Sequence, residues 1–205
     1  AVMDPICNAY KAIAQRSGLL PGENVVIFGT GPLGLFSVQI AKIMGALNIV
    51  VVGLEEDVKV RFGVARQLGA TEVVNGSAED VVKRCQEICG GSDSIGLVVD
   101  CAGANICLKQ AIEMVRCNGE IVRVGMGFKP VGFSINDISM KAVSIIGHMA
   151  YDATSWRNSL QLLAAGRIQV KPMITHRLGL SRWEEGFEAM ANKEAIKVIL
   201  TYDFD

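Results

Sequence analysis

Histidine occurs only twice in the 205 residues, at His148 and His176, and the six cysteines include no Cys-x-x-Cys pair. Paired Cys/His spacing is the usual sequence sign of a bound metal, so no complete metal site can be assembled from this chain alone. An excess of either charge is missing as well: twenty basic against twenty-one acidic residues give a net charge of -1 and a pI near 6.2. No lysine or arginine cluster of the kind that tracks a phosphate backbone is present, which argues against a nucleic-acid partner. Long apolar runs are absent too. The longest, "LNIVVVGL" at 47–54, is far shorter than the roughly 20 residues of a bilayer-spanning helix, and no secretory signal pattern is visible. A soluble protein without a membrane partner is expected.

What is present points to a packed core, since half of the residues are hydrophobic. Cys7, Cys85, Cys89, Cys101, Cys107 and Cys117 are scattered, with Cys85 and Cys89 at the spacing of one helix face. They are expected to be reduced, mostly buried thiols of a reducing compartment, the cytoplasm. The sequence opens at Ala1 without an initiator methionine and enters a helical pattern at once, so the N-terminal part of a longer polypeptide is expected to precede it. No internal repeat and no low-complexity segment is found.

Period and punctuation give the organisation. "DPICNAYKAIAQRSG" (4–18) carries a helical apolar stripe with Pro5 early and Gly18 as a stop. Strands then alternate with helices: 24–28, helix 32–45, 48–52, helix 57–69, 72–74, helix 77–89, 96–100, helix 104–116 and 119–125. Most of these strands are continuous apolar runs, as a parallel sheet covered on both faces requires. The fold class that follows is α/β, a doubly wound parallel sheet of the Rossmann type. Residues 126–140 read as loop, 143–149 as a further strand, 153–165 and 181–192 as helices, and "AIKVILTY" as a closing strand. The expected division is a lead-in helix (1–18), the sheet domain (19–150) and a C-terminal helix-strand segment (151–205).

Gly29, Gly31 and Gly34 form a GxGxxG hinge directly after an apolar strand and at the opening of a helix, with Thr30, Pro32 and Leu33 between them. In a dinucleotide site the first glycine permits the tight turn, the second lets the backbone approach the pyrophosphate, and the third lets helix and strand pack closely. The helix N-terminus then offers unpaired N–H groups to the phosphates. The same fingerprint asks for an acid at the end of the next strand, to hold the ribose hydroxyls of NAD. Gly53 stands there instead, followed by Glu55, Glu56 and Asp57. A small residue leaves room for the 2′-phosphate of NADP, yet no arginine adjoins it and the acids would repel that phosphate, whereas Glu55 could reach the ribose. NAD and NADP both stay open.

The series "DPICNAYKAI", "GLLPGENVVIFGTGPLGL", "AKIMGA", "ARQLGATEVVN", "VVDCAGA", "NGEIVRVGM" and "AIKVILTYDF" resembles, in order and nearly end to end, the cofactor-binding part of the zinc-type medium-chain dehydrogenase/reductase family, which includes alcohol, sorbitol and threonine dehydrogenases. The form GTGPLG is similar to the zinc-dependent branch rather than to the zinc-free quinone reductases. The resemblance implies an oxidoreductase that moves hydride between an alcohol or polyol and a nicotinamide cofactor, with zinc as Lewis acid. It also implies a catalytic lobe, formed mostly by preceding residues, that carries a Cys and a His-Glu pair for the zinc, and a C-terminal segment that packs back toward that lobe. This chain would bind cofactor and be inactive alone.

Residue by residue, Asp4 falls at the family's last zinc-ligand position; as a residue it serves equally as the cap of a helix starting at Pro5. Val124, Gly125 and Met126 match the stretch lining the nicotinamide, Cys101 and Ala102 pass the adenosine side, and Lys197 matches a basic residue near the pyrophosphate. His176 is assigned to structure and His148 to an edge position. The strand in "VSIIG" is expected at the sheet edge, pairing across a two-fold axis into a homodimer or a homotetramer. Two other readings stay beside the enzyme fragment: a freestanding nucleotide-binding or redox-sensing module, and a scaffold that binds nothing.

Overall fold

The computed structural model describes residues 2–202; Ala1 and the last three residues, including Asp203 and Phe204 of "AIKVILTYDF", lie outside the described residues. Helix α1 (Met3–Tyr10) runs on through a π turn (Lys11–Gln15) and leads into strand β1 (Asn24–Phe28). There follow α2 (Pro32–Ile43), β2 (Ile49–Gly53), α3 (Arg61–Leu68), β3 (Glu72–Asn75), α4 (Val81–Cys89), β4 (Ile95–Asp100), α5 (Asn105–Met114) and β5 (Glu120–Arg123). The remainder is α6 (Ile135–Ser139), β6 (Ser144–Gly147), α7 (Ala153–Ala164), β7 (Ile174–Gly179), α8 (Trp183–Ala191) and β8 (Lys197–Thr201).

Strands β1 to β6 form one parallel sheet in the order β3-β2-β1-β4-β5-β6. Side chains alternate across a strand, and this sheet uses both faces. Val25, Ile27, Ile49, Val51, Leu97 and Val99 pack on one side with Ile6 and Ile13 of the first helix and Leu35, Phe36 and Ile40 of α2. Their neighbours Val26, Phe28, Val50, Val52 and Val98 pack on the other, with Cys85 and Cys89 of α4 and Leu108, Ala111 and Ile112 of α5. Each of the Val, Leu, Ile and Phe side chains taken fully out of water contributes about 1.5–3 kcal/mol, and the two-sided demand is what makes the strands uninterrupted apolar runs.

The expected doubly wound architecture is present, with differences in detail. The helix expected from residue 57 is divided: Glu55–Asp57 is a short 3-10 turn and α3 begins only at Arg61. Residues 126–140 are not all loop, because Ser134 accepts the backbone N–H of Asn136 and starts α6. Strand β8 has a partner that its own sequence does not announce. It pairs in parallel with β7, with α8 between them, and the two make a separate two-stranded sheet. This unit is tied to the large sheet by Ile196 and Met173, both in the core of the α2 side, and by Gln39, whose side chain exchanges hydrogen bonds with the backbone of Gln169 at 3.0 and 2.7 Å.

Candidate functional site

The chain winds outward from β1 to β3 on one side and from β4 to β6 on the other, so the loops after β1 and β4 diverge from neighbouring strand ends. Open α/β sheets bind ligands in the crevice at such a switch point. Here the N–H of Cys101 donates to the carbonyl of Phe28 at 2.9 Å, which keeps the two strand ends together to their last residue. A cleft of about 360 Å³ opens beyond them, walled by Gly29, Thr30, Gly31, Gly53, Asp57, Arg61, Cys101, Ala102 and Lys193 among others.

The three glycines of the hinge are needed for three different physical reasons. Gly29 has φ +102°, a conformation that strains any side chain, and a Cβ on it would press at 3.3 Å against the N of Ala102. A Cβ on Gly34 would overlap the carbonyl oxygen of Gly29. Gly31 meets nothing within 4 Å. Its missing side chain is not a packing requirement of the protein itself, and the space it leaves open adjoins the start of α2. Gly31 is the N-cap of α2 and gives no side-chain cap; Pro32, which lacks an N–H, occupies the first turn. The helix's first amide groups have no partner within the helix.

The β4 and β5 loops form the adjoining wall. Asp100, fully buried, accepts the N–H groups of Ala102 and Gly103 on Oδ1 at 3.0 and 2.8 Å and pairs with Arg123 through Oδ2. Burial pushes its carboxyl above the ordinary range; the Gly103 amide, the Arg123 charge and the Ala102 amide oppose that shift. The N–H groups of Val124 and Gly125 both donate to the Asp100 carbonyl, at 2.9 and 2.7 Å. A Cβ on Gly125 would run into Gly103, so two backbones cross there with no side chain between them. Met126 follows and is 70 % exposed.

Of the residues expected from sequence, Gly29, Thr30, Gly31, Gly53, Cys101 and Ala102 come together on this cleft. Pro32, Leu33 and Gly34 form the first turn of α2 beside it, and Val124, Gly125 and Met126 continue β5 past its end. Three placements differ. The Glu55 carboxylate turns to β3, where it accepts Asn75 Nδ2 at 2.6 Å, and the acid on the cleft wall is Asp57. Lys197 opens β8 and lines a separate apolar groove with Trp183 and Phe187; Lys193, in the turn before it, is the lysine on the cleft. Asp4 is not a helix cap, because Val2 holds that position and Asp4 lies inside the first turn. In the sequence Asp57 was only one of three acids after Gly53 and Lys193 carried no signal, because each reaches the cleft from a turn whose path depends on packing.

Asp4 belongs to a chain of side-chain contacts. Its Oδ1 accepts Asn8 Nδ2 at 3.4 Å, and Asn8 Oδ1 lies 3.0 Å from His148 Nε2. His148 follows β6 and its N–H donates to the Arg123 carbonyl at 3.1 Å. Burial first, then the Lys11 and Arg16 charges, hold its imidazole below the ordinary range. The network fixes the first turn of α1 at the same strand-end edge of the sheet where the cleft opens. His176 lies in β7 against the Thr175 hydroxyl. Among the described residues no group of three or more His, Cys, Asp or Glu side chains is placed to hold a metal ion, and no helix is long and apolar enough to cross a membrane.

A family model described as zinc-binding dehydrogenase matches residues 32–165. The chain is 74% identical over 205 residues to an uncharacterised zinc-type alcohol dehydrogenase-like protein of Escherichia coli strain K12, covering 100% of this chain and 57% of that one. It is 31% identical over 202 residues to a sorbitol dehydrogenase of Halalkalibacterium halodurans, covering 98% of this chain and 58% of that one. Among solved structures, 2R,3R-butanediol dehydrogenase of Bacillus subtilis superposes with a TM-score of 0.88 at 28% identity, over 98% of this chain and 57% of that one. The chain therefore spans a little over half the length of the relatives it matches.

Proposed function

Because the chain belongs to the zinc-binding dehydrogenase family, we propose that it is the nicotinamide-dinucleotide-binding portion of an oxidoreductase acting on a small alcohol or polyol. The observation that carries this reading is Gly31: the one hinge glycine whose missing side chain serves no contact within the protein faces open space at the N-terminus of α2. A pyrophosphate placed there meets backbone N–H groups and the positive end of the helix dipole. When bound, the nicotinamide supplies the hydride acceptor or donor of an alcohol–carbonyl interconversion.

The chain's own residues bind and orient. The first turn of α2 holds the phosphates, the Thr30 to Gly53 wall and Cys101 with Ala102 flank the adenosine half, and Val124 to Met126 present backbone groups to the nicotinamide. The described residues do not by themselves fit a zinc ion, since Asp4 belongs to no group of three or more His, Cys, Asp or Glu side chains placed to hold one. In this reading Asp4 is the single ligand this chain contributes, held at the strand-end edge through Asn8 and His148, with the other ligands and most of the substrate pocket on the catalytic lobe, toward which 151–202 pack. Sorbitol-like and butanediol-like polyols are the first substrates to try, on the strength of the relatives' names.

The free edge of β6 supports pairing with a second copy in a homodimer, or a homotetramer built from it, because Ile145 is exposed on it and Phe128, Met140 and Met149 lie exposed in the flanking segments. Ile145→Lys should dissociate such an assembly in sedimentation; an unchanged sedimentation coefficient rejects this edge as the interface. Six free cysteines fit a cytoplasmic setting. The freestanding redox-sensing reading is not favoured, since the chain aligns along nearly its whole length with sorbitol dehydrogenases. Calorimetric titration with NADH and NADPH, with Gly31→Asp as control, tests the proposal: binding of either that the substitution abolishes supports it, and absence of binding to the intact protein rejects it.

A further inference from the structure

The fingerprint acid is missing from the end of β2, and the structure shows what stands in its place. A Cβ on Gly53 would lie 2.5 Å from Phe62 Cε1, 2.8 Å from Thr30 Cγ2 and 2.9 Å from Asp57 Oδ2. The volume directly beside the strand end is thus already filled, and one of the atoms filling it is a carboxylate oxygen. Asp57 arrives there from the far side of the Glu55–Asp57 turn. Its Oδ2 accepts the N–H of Leu54 at 2.8 Å, its Oδ1 lies 3.3 Å from Arg61 Nη1, and the residue is 5 % exposed on the cleft wall.

We infer that Asp57, four residues beyond the strand end in sequence but touching it in space, is the acid that accepts the adenosine ribose hydroxyls, and that it selects NAD over NADP. The inference rests on the dinucleotide reading above. Three observations support it. Each carboxylate oxygen has one protein donor and retains acceptor capacity. Arg61, the arginine that could otherwise hold a 2′-phosphate, is committed: Nη1 to Asp57 and Nη2 to the Ala195 carbonyl at 2.9 Å. Lys193, the other cation on this wall, is paired with Glu56. A dianionic phosphate would therefore meet a buried carboxylate with no uncommitted cation beside it. Arg61 is a positioning residue here. Its Nε has no hydrogen-bond partner among the described residues but is itself buried, so it offers no exposed donor to a phosphate in the cleft.

The test is calorimetric titration of the intact protein with NADH, NADPH and an NADH analogue lacking the adenosine 2′-hydroxyl. The wild type should bind NADH at least about tenfold more tightly than either of the others, the scale of one lost charge-assisted hydrogen bond. Asp57→Asn should weaken NADH by about tenfold without weakening NADPH, whereas Glu55→Gln should leave both unchanged. The wild-type comparison needs no variant, so a poorly folding Asp57→Asn leaves the inference open to refutation. Equal or tighter NADPH binding, no cost for the missing 2′-hydroxyl, or an effect of Glu55→Gln in place of Asp57→Asn would overturn it while leaving the dinucleotide reading intact. Failure of the wild type to bind any of the three removes both.

Discussion

Arg123 of β5 reaches across to Asp100 of β4 with Nη1 2.5 Å from Oδ2, while its Nη2 donates to the Gly103 carbonyl at 2.7 Å. One guanidinium thereby fixes the end of a strand and the loop that leaves it. The carboxylate is fully buried and the arginine side chain 19% exposed. Removing one member of such a pair leaves an uncompensated charge, at a cost of about 3–5 kcal/mol. Arg123→Met should therefore lower the melting temperature by about 6–20 °C for a chain of this size, and should weaken dinucleotide binding because the 101–104 and 124–127 backbones lose their tie. A melting temperature within about 2 °C of wild type would refute the assignment.

The same carboxyl predicts a pH dependence. Its native pKa is raised, with burial the leading cause, so the native state binds this proton more tightly than the unfolded chain does. The stability it contributes is fully present below its unfolded value, about 3.9, and is withdrawn as pH rises through the raised native value. Without Arg123 the withdrawal should be larger. The stability gap between wild type and Arg123→Met, measured from denaturant midpoints, should widen from about pH 4 toward neutrality; a constant gap would show that the pair carries no charge.

The hinge glycines should separate binding from folding. Gly31→Ala adds a methyl into open space, so its melting temperature should stay within about 2 °C while dinucleotide affinity falls by about tenfold or more. Gly34→Ala forces a carbon onto the Gly29 carbonyl and should cost about 3 kcal/mol or fail to fold. If Gly31→Ala binds as tightly as wild type, the phosphate site lies elsewhere.

Thiol labelling checks the burial pattern. Cys117 is exposed, Cys101 is half-buried on the cleft wall, and Cys7, Cys85, Cys89 and Cys107 are buried. Burial pushes Cys85 and Cys101 up to about 12 and Cys89 and Cys107 up to about 11, leaving about one thiolate in a thousand or fewer at pH 8. A chromogenic disulfide should titrate one thiol quickly in the native protein and all six after unfolding. A second fast thiol would mean either that Cys101 reacts through the open cleft or that a helix carrying a buried thiol, α1, α4 or α5, opens readily.

Strands β1, β2 and β4, the glycine hinge and the doubly wound order were legible because their signals are local. A strand buried on both faces has to be apolar at every position, and a turn with φ +102° at Gly29 favours glycine. Strand β7 was not legible. "ITHRLG" mixes Thr175, His176 and Arg177 with apolar residues, and only its pairing with β8 makes it a strand. Helix α6 was hidden by its five-residue length, too short for a periodic signal.

The sequence by itself determined which segments are strands of a two-sided sheet, where the chain must turn without side chains, and that a glycine turn opening a helix follows β1. Only the tertiary structure decided which charged groups reach that crevice. Asp57 and Lys193 line it and Glu55 and Lys197 do not, although each pair is separated by only a few residues. The physical reason is that apolar burial and backbone conformation are demands on each residue in its own segment, whereas the direction of a charged side chain on a short turn is set by what the rest of the chain packs against that turn. At the end of β2 that packing is Phe62, Thr30 and the Ala195 carbonyl held by Arg61.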